Sequence, residues 1–479
     1  MDGREDEPRH SELALDEEEM RHLGYAAVDL VVERWAALRE GPAWVGATRE
    51  EMEARFREEA PEAGSPPLEV MQRAANEVLH YAGRIDHPRF FAFVPSSPTW
   101  PTVMAELLAT GFNVFQGTWL ESAGPSQIEL VVLDWFRDWL GFPETASGVF
   151  TSGGSVANLD ALVAARASRG DPDGAVLYQS DQAHSSMGRA ARIAGFRPDA
   201  VRAIPVDAEY RLDLDALREA IHLDRRAGLT PLLVTGNGGA TNTGVVDPLR
   251  ELGELCREEG LWMHVDAAYG GFAVLTDEGR SALDGIELAD SVTLDPHKWL
   301  FQSYETGCLM VRDAADLHAA FSTNPEYLQD TQIGRDHVNF GERGVQLSRS
   351  FRALKVWMSI KSFGVGAFRS SIQRAMDLAR EAQAYVEASD GLELLSPAAL
   401  GVVCYRFNPP DHDIDSTGLE ELNVEIQQRI VSSGHAMVSS TRLQGAYVLR
   451  ICVMNYTSTA EDVLGTLGRV EAIGLELLA

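Results

Sequence analysis

Apolar residues recur at helical spacing from the start of the patterned chain. Met20, Leu23, Ala27 and Leu30 fall on one face, behind the acidic run 16–19, where a helix dipole favours anions, and this predicts a helix beginning at Asp16. Further short helical stretches follow, interrupted at Gly41-Pro42 and Ser65-Pro66-Pro67. The opening segment, residues 1–97, spreads its apolar residues over separate short helices and is expected to pack on another surface instead of forming its own core. Residues 98–356 change character. The apolar runs 148–150, 175–178, 231–236, 261–266, 291–295 and 308–311 read as strands, and helix-length stretches separate several of them, the signature of a parallel sheet in an α/β domain. From 357 to 479 strands are expected at 402–407 and 446–454. Between them Leu422, Ile426 and Ile430 mark a helix capped by Gly434, which makes an α+β terminal domain.

Composition narrows the class. The 479 residues are 45% hydrophobic and 24% charged, with 72 acidic against 41 basic side chains and a formal net charge of −31. Such a surface repels nucleic-acid phosphates and anionic lipid, so neither is an expected partner. No apolar run approaches the roughly 20 residues of a membrane helix. The polar, acidic first residues do not resemble a secretory signal. Cys256, Cys308, Cys404 and Cys452 are widely spaced and form no CxxC pair, which argues against a zinc ribbon or disulfide framework and fits a reducing cytoplasm.

Ligands of open α/β sheets bind beyond the carboxyl ends of the strands, so the residues there form the candidate site. After 148–150 comes Thr151-Ser152-Gly153-Gly154-Ser155 and then a helix. A Gly-rich turn opening a helix offers free backbone N–H groups and a positive dipole end to a phosphate. His184 follows the second run, Asp266 ends the fourth and leads into Ala267-Ala268, and Asp295-Pro296-His297-Lys298 follows the fifth. A strand-end carboxylate, a lysine after the next strand and a phosphate cup together match what pyridoxal 5′-phosphate (PLP) requires: an amine for a Schiff base, a partner for the pyridine nitrogen and a seat for the phosphate. His264 and Asp266 lie two apart on one strand face but lack a third spaced ligand, so no metal site is expected.

The segments 87–96 (HPRFFAFVPS), 151–162 (TSGGSVANLDAL), 181–186 (DQAHSS), 238–244 (GGATNTG), 264–271 (HVDAAYGG), 295–300 (DPHKWL) and 347–357 (LSRSFRALKVW) resemble, in order, the group II PLP-dependent amino acid decarboxylases of the aromatic L-amino acid branch. The resemblance implies a fold-type I, aminotransferase-like architecture and a homodimer with active sites at the interface, wrapped by the helical N-terminal segment. It implies Lys298 as the Schiff-base lysine, Asp266 at the pyridinium nitrogen, and Ala268 and His184 on opposite ring faces. Gly153, Gly154 and Ser155 are implied as the phosphate cup, with Thr241 and His297 near the cofactor. Tyr327 is implied as the loop tyrosine that protonates the carbanion, and Phe93, Ser96, Phe115, Gly117, Ser348 and Arg349 as substrate contacts.

Departures from the pattern bear on substrate. Phe93 stands where a hydroxyl-bearing Tyr is common, Gly117 where Phe often stands, leaving room for a bulky side chain, and Ser348 where dopa-preferring relatives have Gly. Asp295 stands where Asn is frequent beside the phosphate, and is expected to turn away or to hold a proton. An aromatic-rich wall (Phe90, Phe91, Phe93, Trp100, Phe115, Trp119) favours an aromatic substrate, while Arg349 is a candidate anchor for an acidic one. The reading is decarboxylation of an L-amino acid to its amine. The alternatives are an aldehyde synthase of the same fold, a decarboxylase of histidine or an acidic amino acid, and a catalytically silent homologue.

Overall fold

The computed structural model describes Ser11 and residues 13–95, 97–323 and 337–479. The chain opens with helices α1 (Glu17–Ala37), α2 (Arg49–Phe56) and α3 (Pro67–Arg73), followed by α4 (Trp100–Gly111) and α5 (Trp119–Leu140). Asp16 caps α1 reciprocally with Glu19, as the acidic run predicts. No residue of α1 is buried within the chain, in line with a segment expected to pack elsewhere.

A seven-stranded sheet follows, built from β1 (Ser147–Thr151), β2 (Ala175–Ser180), β3 (Val201–Ile204), β4 (Thr230–Asn237), β5 (Trp262–Asp266), β6 (Ser291–Leu294) and β7 (Gly307–Val311). Helices α6 (Gly154–Ser168), α7 (Ser186–Ile193), α8 (Leu214–Arg226), α9 (Leu249–Glu259), α10 (Asp277–Ala282) and α11 (Ala314–Phe321) are interspersed along it. The strand order is β1-β7-β6-β5-β4-β2-β3, and β2 to β6 pair in parallel while β7 runs antiparallel to both β1 and β6. Helices on the sheet bury its strands: the last six residues of β4 and all of β6 and β7 are inaccessible. The apolar runs at 148–150, 175–178, 231–236, 261–266, 291–295 and 308–311 thus form one sheet, to which the structure adds β3.

The long helix α12 (Ala353–Ala388) leads to a four-stranded antiparallel sheet, ordered β10-β11-β9-β8, made of β8 (Leu392–Ala399), β9 (Val402–Phe407), β10 (Ser439–Leu443) and β11 (Ala446–Cys452). Helix α13 (Ser416–Ser432) and α14 (Ala460–Leu478) complete the chain, and Gly434 at φ +71° turns it after α13 as expected. The boundary expected between 356 and 357 falls inside α12, which bends instead at Gly364, where φ is +73°.

Candidate active site

The carboxyl ends of β1, β2, β4, β5 and β6 surround a cavity of about 400 Å3. Gly153, Gly154, Ser155, His184, Thr241, Asp266, Ala268, His297 and Lys298, all expected in the cofactor site, line it together. Gly154 opens α6, whose first N–H groups have no intrahelical acceptor. A Cβ on Gly154 would stand 3.1 Å from Ala268 Cβ and 3.2 Å from Asp295 Oδ2, so a glycine is what leaves the cup open.

Asp266, at the end of β5, accepts from the Asn158 side-chain amide at 2.8 Å and from the Ala268 N–H at 3.2 Å. Asn158 is the hub of a buried network. Its Nδ2 also donates to Ser186 Oγ at 2.7 Å, and its Oδ1 accepts from Thr293 Oγ1 at 2.6 Å and from His264 Nε2 at 3.0 Å. Burial pushes His264 down to about 4, Asp266 pulling the other way, so the ring is neutral and its Nδ1 accepts from Ser291 Oγ at 2.8 Å. Ser186 Oγ is also 2.9 Å from His184 Nδ1, and the Ser186 N–H donates to the same nitrogen. One chain of hydrogen bonds therefore orients the carboxylate and the imidazole that share the cavity.

Lys298 Nζ lies 3.1 Å from Asp295 Oδ2, so Asp295 has not turned away from the cup. His297 Nε2 is 3.5 Å from the same oxygen, and His297 Nδ1 accepts from the Thr306 N–H. On the other side of Lys298 a second cavity, about 290 Å3, is bordered by Phe93, His184, Thr241, Ser439 and Arg450. Phe93 is 61% exposed at φ +56°. Arg450 is buried and donates to Phe93 O at 2.5 Å and to Asn242 O at 3.1 Å, with Nη2 left unpartnered.

The other expected substrate contacts lie elsewhere in the chain. Phe115, Gly117, Ser348 and Arg349 line neither cavity. Arg349 corrects the expectation of an anchor for an acidic substrate. It is spent on Glu129 Oε1 at 2.6 Å, on Phe150 O at 2.8 Å and on Gln116 O at 2.9 Å, with its side chain buried. The room expected at Gly117 is also absent: a Cβ there would meet the Phe115 ring at 2.4 Å and Leu347 O at 2.7 Å. Ser348 is exposed beside this cluster. Of the aromatic wall, Phe90 and Phe91 are core residues and Trp119 stacks on His337. Ser96 and Tyr327 lie outside the described residues.

Sequence reasoning missed Asn158, Ser186, Tyr304, Glu305 and Arg450. Asn158 sits within the segment 151–162 and Arg450 within an apolar strand, but neither position announces its partners.

An amine, a carboxylate held by two donors, and a helix N-terminus opening on one cavity fit PLP. Comparison with known proteins agrees. Residues 50–408 match the family model described as the pyridoxal-dependent decarboxylase conserved domain. The chain is 41% identical to an aromatic-L-amino-acid decarboxylase of Bacillus atrophaeus, over 97% of each chain, and 32% identical to a phenylacetaldehyde synthase of Petunia hybrida, over 92% of this chain and 91% of that one. Among solved structures it resembles that of Oryza sativa TDC with PLP and tryptamine, with TM-score 0.93 and 29% identity, covering 98% of this chain and all of that one.

Proposed function

The chain belongs to the pyridoxal-dependent decarboxylase family, and we propose that it decarboxylates an aromatic L-amino acid. It is a PLP-dependent carboxy-lyase of fold-type I. The observation that carries the reading is the placement of Lys298, Asp266 and His184 on one cavity opening at the start of α6.

PLP, when bound, supplies an electron sink for the pair left on Cα as CO2 departs. Lys298 presents Nζ to the cavity as the amine that would hold the cofactor. Asp266 offers its carboxylate to the ring nitrogen and holds a proton there, in the orientation that Asn158 and the Ala268 N–H impose. His184, its Nδ1 engaged by Ser186, and Ala268 would hold the cofactor ring between them. Gly153, Gly154 and Ser155, at the start of α6, would hold the phosphate on backbone N–H groups. Phe93 and the Arg450-clamped wall border the substrate side of Lys298.

The aromatic preference rests on the Bacillus relative and on Phe93 at a substrate side whose cations are engaged, Lys298 by Asp295 and Arg450 by the carbonyls of Phe93 and Asn242. Arg349, neutralised by Glu129, gives an acidic side chain nothing to bind. The working unit in this reading is a homodimer. Helix α1 exposes Met20, Tyr25 and Val32, and an apolar groove of about 320 Å3 lies between Trp35, Trp100, Phe301, Phe363, Phe368 and Tyr456. A partner subunit would cover these surfaces. Four buried, unpaired cysteines suit a cytoplasmic setting. No helix among the described residues is long and apolar enough to cross a membrane.

A product screen tests the reading. PLP-loaded protein is offered tryptophan, tyrosine, dopa, phenylalanine, histidine and glutamate separately, with amine, CO2 and peroxide followed. Amine and CO2 from an aromatic substrate without peroxide is the expected result. Aldehyde with peroxide moves the chain to the synthase activity named for the Petunia relative, and turnover of glutamate or histidine alone overturns the pocket reading.

A further inference from the structure

We propose that Tyr304 is a ligand of the cofactor phosphate, its phenol O–H donating to a phosphate oxygen from the segment that leads into β7. The proposal rests on the assignment of the cup at Gly153–Ser155 as the phosphate seat.

The chain runs from Lys298 into β7 through residues 299–306, and the end of this segment is packed on the cup: a Cβ on Gly307, the first residue of β7, would overlap the Gly153 backbone. The Thr306 N–H donates to His297 Nδ1, and the Thr306 carbonyl accepts from the His297 N–H at 3.1 Å. His297 in turn reaches the cup, with Cε1 3.4 Å from where a Cβ on Gly153 would stand. Tyr304 packs its ring on that imidazole, 4.6 Å between centroids, and lines the same cavity as Gly153, Gly154 and Ser155. It is 50% exposed, and its hydroxyl has no hydrogen-bond partner among the described residues. Burial, with Asp295 adding to it, holds the phenol above its ordinary value, so it stays an O–H donor.

A phosphate group carries close to two negative charges above its second pKa of about 6, and the charges of this cavity do not answer it. Among the described residues that line it, Lys298 is the one lysine or arginine, and Asp295 engages it at 3.1 Å. Asp266, Asp295 and Glu305 are acids. Burial holds the His297 imidazole below its ordinary value, with Asp295 pulling the other way. The phosphate therefore depends on neutral donors. The N-terminus of α6 and the hydroxyls of Ser152 and Ser155 supply them from one turn. Tyr304 adds another from outside that turn, on a ring seated against His297. A phenol O–H donates to an anion without a counter-charge of its own, and a hydrogen bond to an ionised acceptor is stronger than one between neutral groups. No covalent bond is made or broken and no proton is transferred.

The test uses the full chain freed of cofactor and two probes that form no covalent bond: pyridoxine 5′-phosphate, titrated by calorimetry, and inorganic phosphate, measured by its displacement of the first. Tyr304→Phe keeps a ring on His297 and removes only the hydroxyl. It is expected to weaken pyridoxine 5′-phosphate by roughly 10- to 100-fold, the loss of one hydrogen bond to a charged group, and to weaken inorganic phosphate by a similar factor. Tyr304→Leu, at the same half-exposed position, is expected to lose at least as much for both probes. Unchanged affinity for pyridoxine 5′-phosphate in either variant overturns the proposal. So does a loss confined to pyridoxine 5′-phosphate, with inorganic phosphate bound as by wild type, because the hydroxyl then meets the ring and not the phosphate. Failure of either probe to bind wild type at all overturns the assignment of the cup, and the proposal with it.

Discussion

Asn158 Nδ2 donates to Asp266 Oδ2 across 2.8 Å, and this amide sets the direction of the carboxylate proposed to meet the cofactor ring. The same nitrogen reaches Ser186, which in turn holds His184, so one side chain on α6 adjusts both groups. A hydrogen bond to a charged acceptor contributes about 1.5–3 kcal/mol. Asn158→Ala is therefore expected to lower kcat by roughly 10- to 100-fold with little change in KM, and to alter the visible absorption of bound cofactor. An unchanged spectrum and kcat would remove Asn158 from the account.

Arg450 clamps two walls of the substrate side through Phe93 O and Asn242 O. A lysine at this position cannot span both carbonyls with one planar fork. Arg450→Lys is expected to raise KM for the aromatic substrate by about tenfold or more, the equivalent of one charged hydrogen bond, while the absorption of bound cofactor stays as in wild type. Steady-state kinetics with a cofactor spectrum reads both.

Arg349 and Glu129 form a buried pair. Removing one partner strands the other charge and typically costs about 3–5 kcal/mol. Arg349→Met is expected to lower the unfolding free energy by that amount, and the double change with Glu129→Leu to recover most of it. A substrate contact would instead show a changed substrate preference at unaltered stability, so denaturant unfolding alongside kinetics separates the two roles.

Burial raises Asp160 to about 7, against a bond from the Val345 N–H and the field of Arg349. The folded state thus holds this proton in a range where the unfolded chain, with an ordinary value of 3.8, has lost it. Stability falls as pH rises from about 4 to about 7, and the full cost of an ionised buried carboxylate is present above that. Asp160→Asn is expected to raise Tm at pH 8 by more than it does at pH 5. Equal shifts at the two pH values contradict this.

The resemblance gives Tyr327 the task of protonating Cα. Tyr327→Phe is expected to shift product from amine toward aldehyde and peroxide, measured as the ratio of the two. An unchanged ratio ends that assignment.

The strands of the large sheet were legible because helices cover both faces, which forces runs such as Leu232–Val234 to be apolar throughout. Strands β3, β8 and β10 escaped for the opposite reason. They lie at sheet edges and carry Arg202, Glu393 and Arg442, whose side chains reach solvent or an ion pair. That Lys298, Asp266 and Gly153–Ser155 share one cavity was legible because the ligand site of such a sheet follows the strand ends. The Asn158 network was not, because its partners His264 and Thr293 lie 106 and 135 residues away. Arg349 misled for a related reason: an arginine next to a motif says nothing of where its guanidinium points, and Glu129 had already claimed it.

The proposed chemistry makes Lys298 the covalent seat of the cofactor in this cavity. Borohydride reduction of the PLP-loaded protein, followed by digestion and mass spectrometry, tests it directly. A phosphopyridoxyl group is expected on the peptide bearing Lys298, and none in Lys298→Ala. A label on another lysine, or no label on a protein that still releases CO2, would contradict it.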